Sequence, residues 1–152
     1  MKIIEYNEKY FDGVCEVVRK SVEKTYSKYY TKEVVDFVLA HHSKENMREQ
    51  LPKEITLLLS ENGKIVGTAS LCNNYLLRFF ILYEYQNKGF GKILLQELES
   101  KLDRNKFKQI TLSSSLGAFE FYKKYGYEIL EFKKIPLPND NIMYYFEMIK
   151  YL

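Results

Sequence analysis

The chain has 152 residues, of which 46% are hydrophobic and 28% charged, with a formal net charge of +3. These values are typical of one globular domain with a buried core, and they exclude a wholly disordered chain. Lysine and arginine form no cluster, which argues against a nucleic-acid partner, and the longest apolar run is far too short to span a membrane.

The first half of the chain alternates between strand-like and helical spacing of its apolar residues. This spacing predicts one strand and three helices, at residues 2–6, 9–25, 31–40 and 44–51. Two further strands are predicted at residues 55–60 and 64–72. Between them stand Asn62 and Gly63, a dipeptide that strongly favours a tight hairpin turn.

The second half predicts strands and helices in alternation. The predicted strands lie at residues 75–83, 107–113, 127–132 and 142–149, and the predicted helices at residues 89–104 and 115–125. We expect a serine among residues 113–115 to cap the second of these helices, and Gly126 to end it in a left-handed conformation. Without repeats or a linker, residues 1–152 are predicted to form a single mixed α/β domain.

Cysteine and histidine usage bears on compartment and metal binding. Cys15 and Cys72 are isolated, and the first residues lack the apolar core of a signal peptide, so we expect a reduced, cytoplasmic protein. His41 and His42 are adjacent rather than four residues apart on one helical face. No zinc-type cluster surrounds them, and we therefore expect no metal.

A glycine-punctuated turn, Gln-Asn-Lys-Gly-Phe-Gly-Lys at residues 86–92, joins a predicted strand to a predicted helix. Such a turn presents free backbone N–H groups and the positive end of a helix, which together suit a pyrophosphate. It is no Walker loop, because Ile93 follows the lysine where a hydroxyl residue is needed, and Leu94 replaces the third glycine of a dinucleotide fingerprint. The alternative to an anion site is that the glycines serve only the geometry of the turn.

A second motif, Ser-Ser-Ser-Leu-Gly-Ala-Phe-Glu-Phe-Tyr-Lys-Lys-Tyr-Gly-Tyr, follows at residues 113–127. The pattern Gln/Arg-x-x-Gly-x-Gly after a strand, followed by Ala-x-x-Phe-Tyr-x-Lys-x-Gly-Phe/Tyr, resembles the GNAT family of acyl-CoA-dependent N-acyltransferases. The second pattern matches at Ala118, Phe121, Tyr122, Lys124, Gly126 and Tyr127. The resemblance is good over residues 62–130, the expected acyl-CoA-binding core, and loose over residues 1–60, the expected acceptor side.

This resemblance implies a GNAT-like, mostly antiparallel sheet of about seven strands flanked by helices. A splayed parallel strand pair would hold acetyl-CoA, the implied co-substrate, as a pseudo-strand on its open edges. The implied cofactor-binding residues are Phe79, Phe80, Ile81, Gln86, Asn87, Lys88, Gly89, Phe90, Gly91, Lys92 and Ser115. At Ser115 the family often has an asparagine that contacts the pantetheine arm, and a serine hydroxyl can still hydrogen-bond there.

The resemblance also implies direct attack of a neutral amine on the thioester, with Tyr122 as the general acid that protonates the leaving thiolate. The alternative for Tyr122 is a core tyrosine bonded to a backbone carbonyl. A nucleophilic Cys72 is less favoured, since no histidine stands near it in the sequence. The base that takes the amine proton is not identified. The glutamates considered are Glu33, Glu54, Glu120 and Glu84, the last at a position where acidic residues look structural in the family, and a chain of water molecules would serve as well.

Substrate choice is expected in the first sixty residues. Tyr26, Tyr29 and Tyr30 lie where the family places its acceptor-binding lid, and they would suit a small amine; covering the sheet is an equal alternative. Arg78, inside an apolar strand, is expected to snorkel to the sheet surface or to bind an acidic substrate group.

Two functions therefore stay open. The first is an N-acetyltransferase acting on a primary amine of a small molecule or peptide. The second is a non-catalytic acyl-CoA sensor on the same fold. The sequence does not set the oligomeric state, and a homodimer is compatible with it.

Overall fold

The computed structural model describes residues 1–152, and its elements follow the predicted order. The twelve strands and α-helices are β1 (Lys2–Glu5), α1 (Phe11–Thr25), α2 (Lys32–His41), α3 (Lys44–Gln50), β2 (Ile55–Glu61), β3 (Lys64–Cys72), β4 (Tyr75–Ile81), α4 (Phe90–Glu99), β5 (Gln109–Ser114), α5 (Phe119–Lys124), β6 (Glu128–Pro136) and β7 (Ile142–Tyr151). Four short 3-10 helices complete the chain, at Glu8–Tyr10, Tyr26–Lys28, Leu51–Lys53 and Tyr83–Tyr85.

The seven strands form one sheet in the order β1-β2-β3-β4-β5-β7-β6. Every neighbouring pair is antiparallel except β4 and β5, which run parallel. Their pairing is limited to Tyr75 with Thr111 and Leu76 with Leu112, after which β4 pairs only with β3 and β5 only with β7. The predicted mixed sheet with a splayed parallel pair is thus confirmed.

Helices cover both faces of the centre of the sheet. In β3 every residue from Ile65 to Leu71 is buried, which requires cover on both faces because successive side chains point to opposite sides. α1 packs against β3 and β4, and α4 packs against β2 and β3. The core joins these layers through side chains such as Val14, Leu58 and Leu94, each with 0% exposure. None of the helices combines the length and apolarity that a bilayer crossing requires.

Two local predictions about the backbone hold. Asn62 and Gly63 both have positive φ, at 51° and 79°, as the tight hairpin between β2 and β3 demands. Gly126 ends α5 with a φ of 97°. The positive φ of Arg78, 50°, was not predicted. It occurs at a bulge where Arg78 and Phe79 together face Ala69 of β3.

Several element boundaries differ from the predicted ones. α4 ends at Glu99 rather than at residue 104, because Lys101 and Leu102 donate to carbonyls three residues back and tighten the chain into a turn. β5 begins at Gln109 rather than at residue 107. β6 runs past its predicted end at residue 132 because its residues up to Pro136 pair with β7, and β7 runs past residue 149 because Lys150 and Tyr151 pair with β5.

α5 begins later than predicted, and the expected serine cap is wrong. Ser114 Oγ donates to the Ser115 carbonyl at 2.9 Å, while the N-cap position falls on Ala118, which makes no side-chain capping bond. The preceding residues are held out of the helix by a long-range contact, in which the Leu116 N–H donates to Tyr30 Oη at 2.9 Å.

Candidate active site

A cavity of about 360 Å³ opens between the diverging ends of β4 and β5. Its walls come from the end of α1 and the connection after it, from β4, from the turn ahead of α4, and from the segment that joins β5 to α5. The predicted site residues that it brings together are Tyr26, Tyr29, Tyr30, Arg78, Phe79, Phe80, Ile81, Gln86, Asn87, Ser115 and Tyr122.

The other predicted residues lie beside this cavity, in the turn and the first turn of α4: Lys88, Gly89, Phe90, Gly91 and Lys92. Gly89 is the N-cap of α4 with a φ of 85°, a conformation that side chains with a Cβ rarely adopt. The first helical bond runs from the Ile93 N–H to the Gly89 carbonyl at 3.3 Å. The N–H groups at the start of α4 therefore have no intrahelical acceptor, and this positive helix end is open to an anion.

Two contacts fix the turn against the cavity. Gln86 Nε2 donates to the Ile81 carbonyl at 2.9 Å, which ties the turn to the end of β4. A Cβ at Gly91 would lie 3.0 Å from the Phe121 ring, so only glycine lets α4 approach α5 this closely. The two sequence motifs, distant along the chain, thus meet at the contact between Gly91 and Phe121.

The bulge in β4 shapes the backbone that faces the cavity. Arg78 and Phe79 share one partner residue on β3, whereas Phe80 and Ile81 pair normally with Thr68 and Gly67. On the other edge, this part of β4 has no strand beside it, because its pairing with β5 has already ended. Apart from the Ile81 carbonyl, which accepts from Gln86, the backbone groups of residues 78–81 that point to that edge have no strand partner and are available to a ligand in the gap.

Tyr122 projects from α5 into the wall of this cavity with 5% exposure. Its ring is held by edge contacts with the rings of Phe79, Phe121 and Tyr127, at centroid distances of 5.9, 5.3 and 5.7 Å. The hydroxyl makes no hydrogen bond within the protein, so it does not satisfy a backbone carbonyl. Burial and, to a smaller extent, Tyr26 raise the pKa of Tyr122, so its hydroxyl stays protonated at neutral pH.

The three lid tyrosines have different environments. Tyr26 lies at the inner end of the cavity, and burial raises its pKa to about 12. Tyr30 Oη donates to the Tyr144 carbonyl at 2.7 Å and accepts the Leu116 N–H, so it ties the connection between α1 and α2 to the opposite wall. Tyr29 packs its ring on Gly117, where a Cβ would lie only 2.6 Å away.

Arg78 does not snorkel to the surface, so that prediction is wrong. Its guanidinium forms an ion pair with Glu54 in which the two side chains are only 1% and 4% exposed, and Nη1 donates to Gln50 Oε1 at 2.9 Å. The fold closes over the pair because the bulge turns the arginine inward. Among the suggested bases, Glu54 is thus engaged; the other three, Glu33, Glu84 and Glu120, are exposed and line neither main cavity.

A second cavity, of about 310 Å³, lies between α2 and the C-terminal half of the sheet. It meets the first cavity at the splay, where both share Tyr26, Leu76, Leu77, Arg78, Ser113, Ser114 and Ser115. Its remaining walls are Phe37, Val38, His41, His42, Gln50, Tyr75, Ile135, Met143 and Tyr145. The two cavities thus reach one point of the sheet from different sides.

A hydrogen-bonded row crosses three strands at the edge of the second cavity. Ser113 Oγ on β5 donates to Glu147 on β7, and it is also bonded to the hydroxyl of Tyr75 on β4. Because the serine has one hydroxyl hydrogen, Tyr75 is then the donor to Ser113. No group of three or more histidine, cysteine, aspartate or glutamate side chains is placed to hold a metal ion.

Sequence reasoning missed the walls of the second cavity. The strand pattern of residues 142–149 signals that Met143 and Tyr145 share a face of the sheet, but not that α2 covers that face. His42 was considered only as a metal ligand. In the structure its Nδ1 is buried without a partner, and burial and Arg78 lower the pKa of His42 to about 4.

The chain resembles known acetyltransferases in sequence. Residues 25–135 match the model of the acetyltransferase (GNAT) domain family. An uncharacterized N-acetyltransferase, YafP, of Escherichia coli (strain K12) is 22% identical over 135 residues, which cover 89% of this chain and 86% of that protein.

Solved structures show the same fold. A GCN5-related N-acetyltransferase from Rhodopseudomonas palustris superimposes with a TM-score of 0.89 at 21% identity, over 99% of this chain and 95% of that one. The PaiA N-acetyltransferase from Thermoplasma acidophilum, solved in complex with coenzyme A, gives a TM-score of 0.73 at 24% identity over 100% of both chains. The family predicted from the two motifs is confirmed: the chain belongs to the GNAT family of acetyltransferases.

Proposed function

We propose that the protein is an N-acetyltransferase that moves the acetyl group of acetyl-CoA to a primary amine of a small molecule or peptide. The observation that carries this proposal is the meeting of two cavities at the splay of β4 and β5. One cavity leads to the glycine turn and contains Tyr122, and the other approaches the same point from the side of α2. Two substrates can therefore be held at once on either side of one reacting centre.

The first cavity is proposed to hold acetyl-CoA. The pantetheine amides of acetyl-CoA would bind the free edge of β4 at Phe79, Phe80 and Ile81, as an added strand does. The diphosphate would lie on the N–H groups at the start of α4, which have no intrahelical acceptor. Coenzyme A bound to the Thermoplasma protein, which shares this fold, supports the choice of ligand.

The reaction is proposed to be direct attack of the neutral amine on the thioester carbon. Holding the two reactants together at attack distance can supply up to roughly 7–11 kcal/mol in well-oriented systems. A backbone N–H near the bulge would hold the oxyanion, and a donor of this type contributes roughly 2.7–4 kcal/mol. Tyr122 would donate its proton to the departing thiolate, because its hydroxyl is protonated and has no other partner. The proton that the attacking amine must lose would pass to water, since none of the four suggested glutamates lines either cavity.

The first test is ligand binding followed by turnover. Acetyl-CoA and CoA should raise the melting temperature, whereas ATP should not, because the turn lacks a hydroxyl residue after Lys92 for a metal. At 100 times Kd the stabilisation should be about 2.7 kcal/mol. An equal shift with ATP would contradict the assignment of the turn.

Turnover separates the enzyme from a sensor on the same fold. The enzyme should release CoA thiol from acetyl-CoA when primary amines are added, and mass spectrometry should find the acetylated amine. Tight acetyl-CoA binding without thiol release across a broad set of amines and peptides would instead favour the sensor.

A further inference from the structure

The second cavity has walls that are mostly apolar and aromatic. Between α2 and the sheet these walls include Phe37, Val38, Met143 and Tyr145. A ligand in this cavity gains by removing apolar surface from water, at roughly 25 cal/mol per Å². The cavity therefore favours a molecule with an apolar or aromatic body over a strongly hydrated one.

The cavity also has no anionic wall. Neither aspartate nor glutamate lines it, and Arg78, which does, is positive and paired with Glu54. Glu147 does not line the cavity; it accepts a hydrogen bond from Ser113, which does. The two histidines of the wall, His41 and His42, cannot carry a negative charge, so they supply no counter-charge to an ammonium group. An ammonium group inside the cavity would be desolvated without a counter-charge.

An anionic substrate group is no better served. The two terminal nitrogens of Arg78 bind Glu54 and Gln50, and its side chain is only 1% exposed. A carboxylate in the cavity could not obtain the two parallel hydrogen bonds that arginine gives to a free carboxylate. The body of the substrate is therefore expected to carry neither a positive nor a negative charge.

The same surroundings favour the reactive form of the amine. Attack on the thioester requires a lone pair on nitrogen, hence the neutral amine. Desolvation disfavours the charged form and lowers an amine's pKa, so an apolar cavity raises the fraction of bound amine that is neutral. An amine that is already neutral when bound needs no base before it attacks, and none of the four suggested glutamates lines the cavity to act as one.

From these observations we infer that the acceptor is a primary monoamine with an aromatic or apolar body and no second charged group, bound in the second cavity between α2 and β7. The inference rests on the proposed acetyl transfer. It excludes as good substrates the diamines, polyamines and other polycationic amines, as well as free α-amino acids.

Matched amines test the inference directly. Benzylamine and 4-(aminomethyl)benzylamine differ by one aminomethyl group, and 2-phenylethylamine and phenylalanine differ by one carboxylate. With acetyl-CoA as donor, thiol release should give a kcat/KM at least about 100-fold higher for the first member of each pair, because the second buries an unpaired charge. Equal values of kcat/KM within the pairs would overturn the inference.

A charge placed in the cavity gives an independent test. Met143→Glu adds a carboxylate to the wall, and Met143→Gln is its uncharged control of similar size. The glutamate variant should raise kcat/KM for 4-(aminomethyl)benzylamine at least about tenfold over the glutamine variant, because the second ammonium gains a partner. No difference between the two variants would place the acceptor elsewhere and overturn the inference.

Failure of the proposed function gives a different result. If no amine in the set releases thiol although acetyl-CoA raises the melting temperature, acetyl transfer to amines is contradicted, and the inference falls with it. If the diamine is used as well as benzylamine, acetyl transfer stands and the inference alone is overturned. In that case Glu147→Gln should abolish the use of the diamine if this carboxylate is the partner of the second ammonium.

Discussion

Replacing Tyr122 with phenylalanine removes one hydroxyl group and leaves the ring in place. The ring is held by edge contacts with Phe79, Phe121 and Tyr127, which a phenylalanine would keep. Because the hydroxyl has no partner within the protein, its removal leaves no buried group unsatisfied. The free energy of unfolding should therefore change by less than about 0.5 kcal/mol, or rise slightly.

The expected effect on catalysis is large. If the hydroxyl protonates the leaving thiolate, kcat for Tyr122→Phe should fall by roughly 100-fold to 10,000-fold, as for other lost general acids. KM for acetyl-CoA should hardly change, because the contribution belongs to the transition state. Since burial raises the pKa of Tyr122, ionisation of this hydroxyl should also cause no loss of activity just above neutral pH.

Tyr127→Phe is the matched control, because it removes the same atom from a neighbouring buried tyrosine. Tyr127 Oη donates to Glu99 Oε1 at 3.2 Å, and Glu99 also binds Lys150 Nζ at 2.9 Å. Losing a hydrogen bond to this charged group should cost roughly 1.5–3 kcal/mol of stability. Because Tyr127 lines neither main cavity, kcat should stay near the wild-type value.

Measuring kcat by thiol release and stability by urea unfolding on both variants gives two opposite patterns. Tyr122→Phe should lose turnover and keep stability, and Tyr127→Phe should lose stability and keep turnover. A near-wild-type kcat for Tyr122→Phe would refute the assignment and point to water as the proton donor.

Three further predictions use the same kind of contrast. Gly89→Ala should weaken CoA binding at least about tenfold, as measured by calorimetry. Gly63→Ala is the control, because Gly63 also has a positive φ and nothing within 4 Å of an added Cβ. It should cost the same roughly 1–2 kcal/mol of backbone strain and leave the affinity for CoA unchanged. Below pH 6.5 His42 becomes protonated in the unfolded chain but stays neutral in the folded protein, where its pKa is about 4, so stability should fall progressively as the pH is lowered. The loss should be on the order of 3 kcal/mol at about pH 4. A His42→Gln variant whose urea midpoints show the same acid dependence would contradict this. Glu54→Ala should lower the free energy of unfolding by roughly 3–5 kcal/mol, because it leaves Arg78 buried and unpaired. The double variant Glu54→Leu with Arg78→Met should recover most of the lost stability. Equal unfolding midpoints for Glu54→Ala and the wild type would show that the ion pair contributes nothing.

Local signals in the sequence predicted much of the fold and many of the residues that line the first cavity. The apolar spacing located all seven strands and all five α-helices, although β1 and β6 contain no buried residue. The glycine turn needs a positive φ at Gly89 and a close approach at Gly91, and both requirements act on a few adjacent residues. Tyr122, which lines the first cavity, was chosen as a candidate because a second short motif stands at its expected distance along the chain.

Features that depend on long-range contacts were not predictable in this way. The inward turn of Arg78 depends on a bulge and on Glu54, which is 24 residues earlier. The delayed start of α5 depends on Tyr30, which reaches Leu116 across 86 residues and Tyr144 across 114. Apolar spacing places a side chain on a face of its own element, but it does not identify the element that covers that face.

The strand pairing between the β1–β4 part of the sheet and the part formed by β5, β7 and β6 consists of only two residue pairs, supplemented by a few hydrogen bonds such as that of Tyr75 with Ser113. Hydrogen bonds across this seam are too few to couple the two parts firmly, so each part is expected to open as its own cooperative unit. Native-state amide exchange should then report two classes of protection in the free protein, divided between β4 and β5. A ligand that bonds to both edges of the seam would merge these classes, so that the cofactor, besides reacting, would make the domain unfold as one.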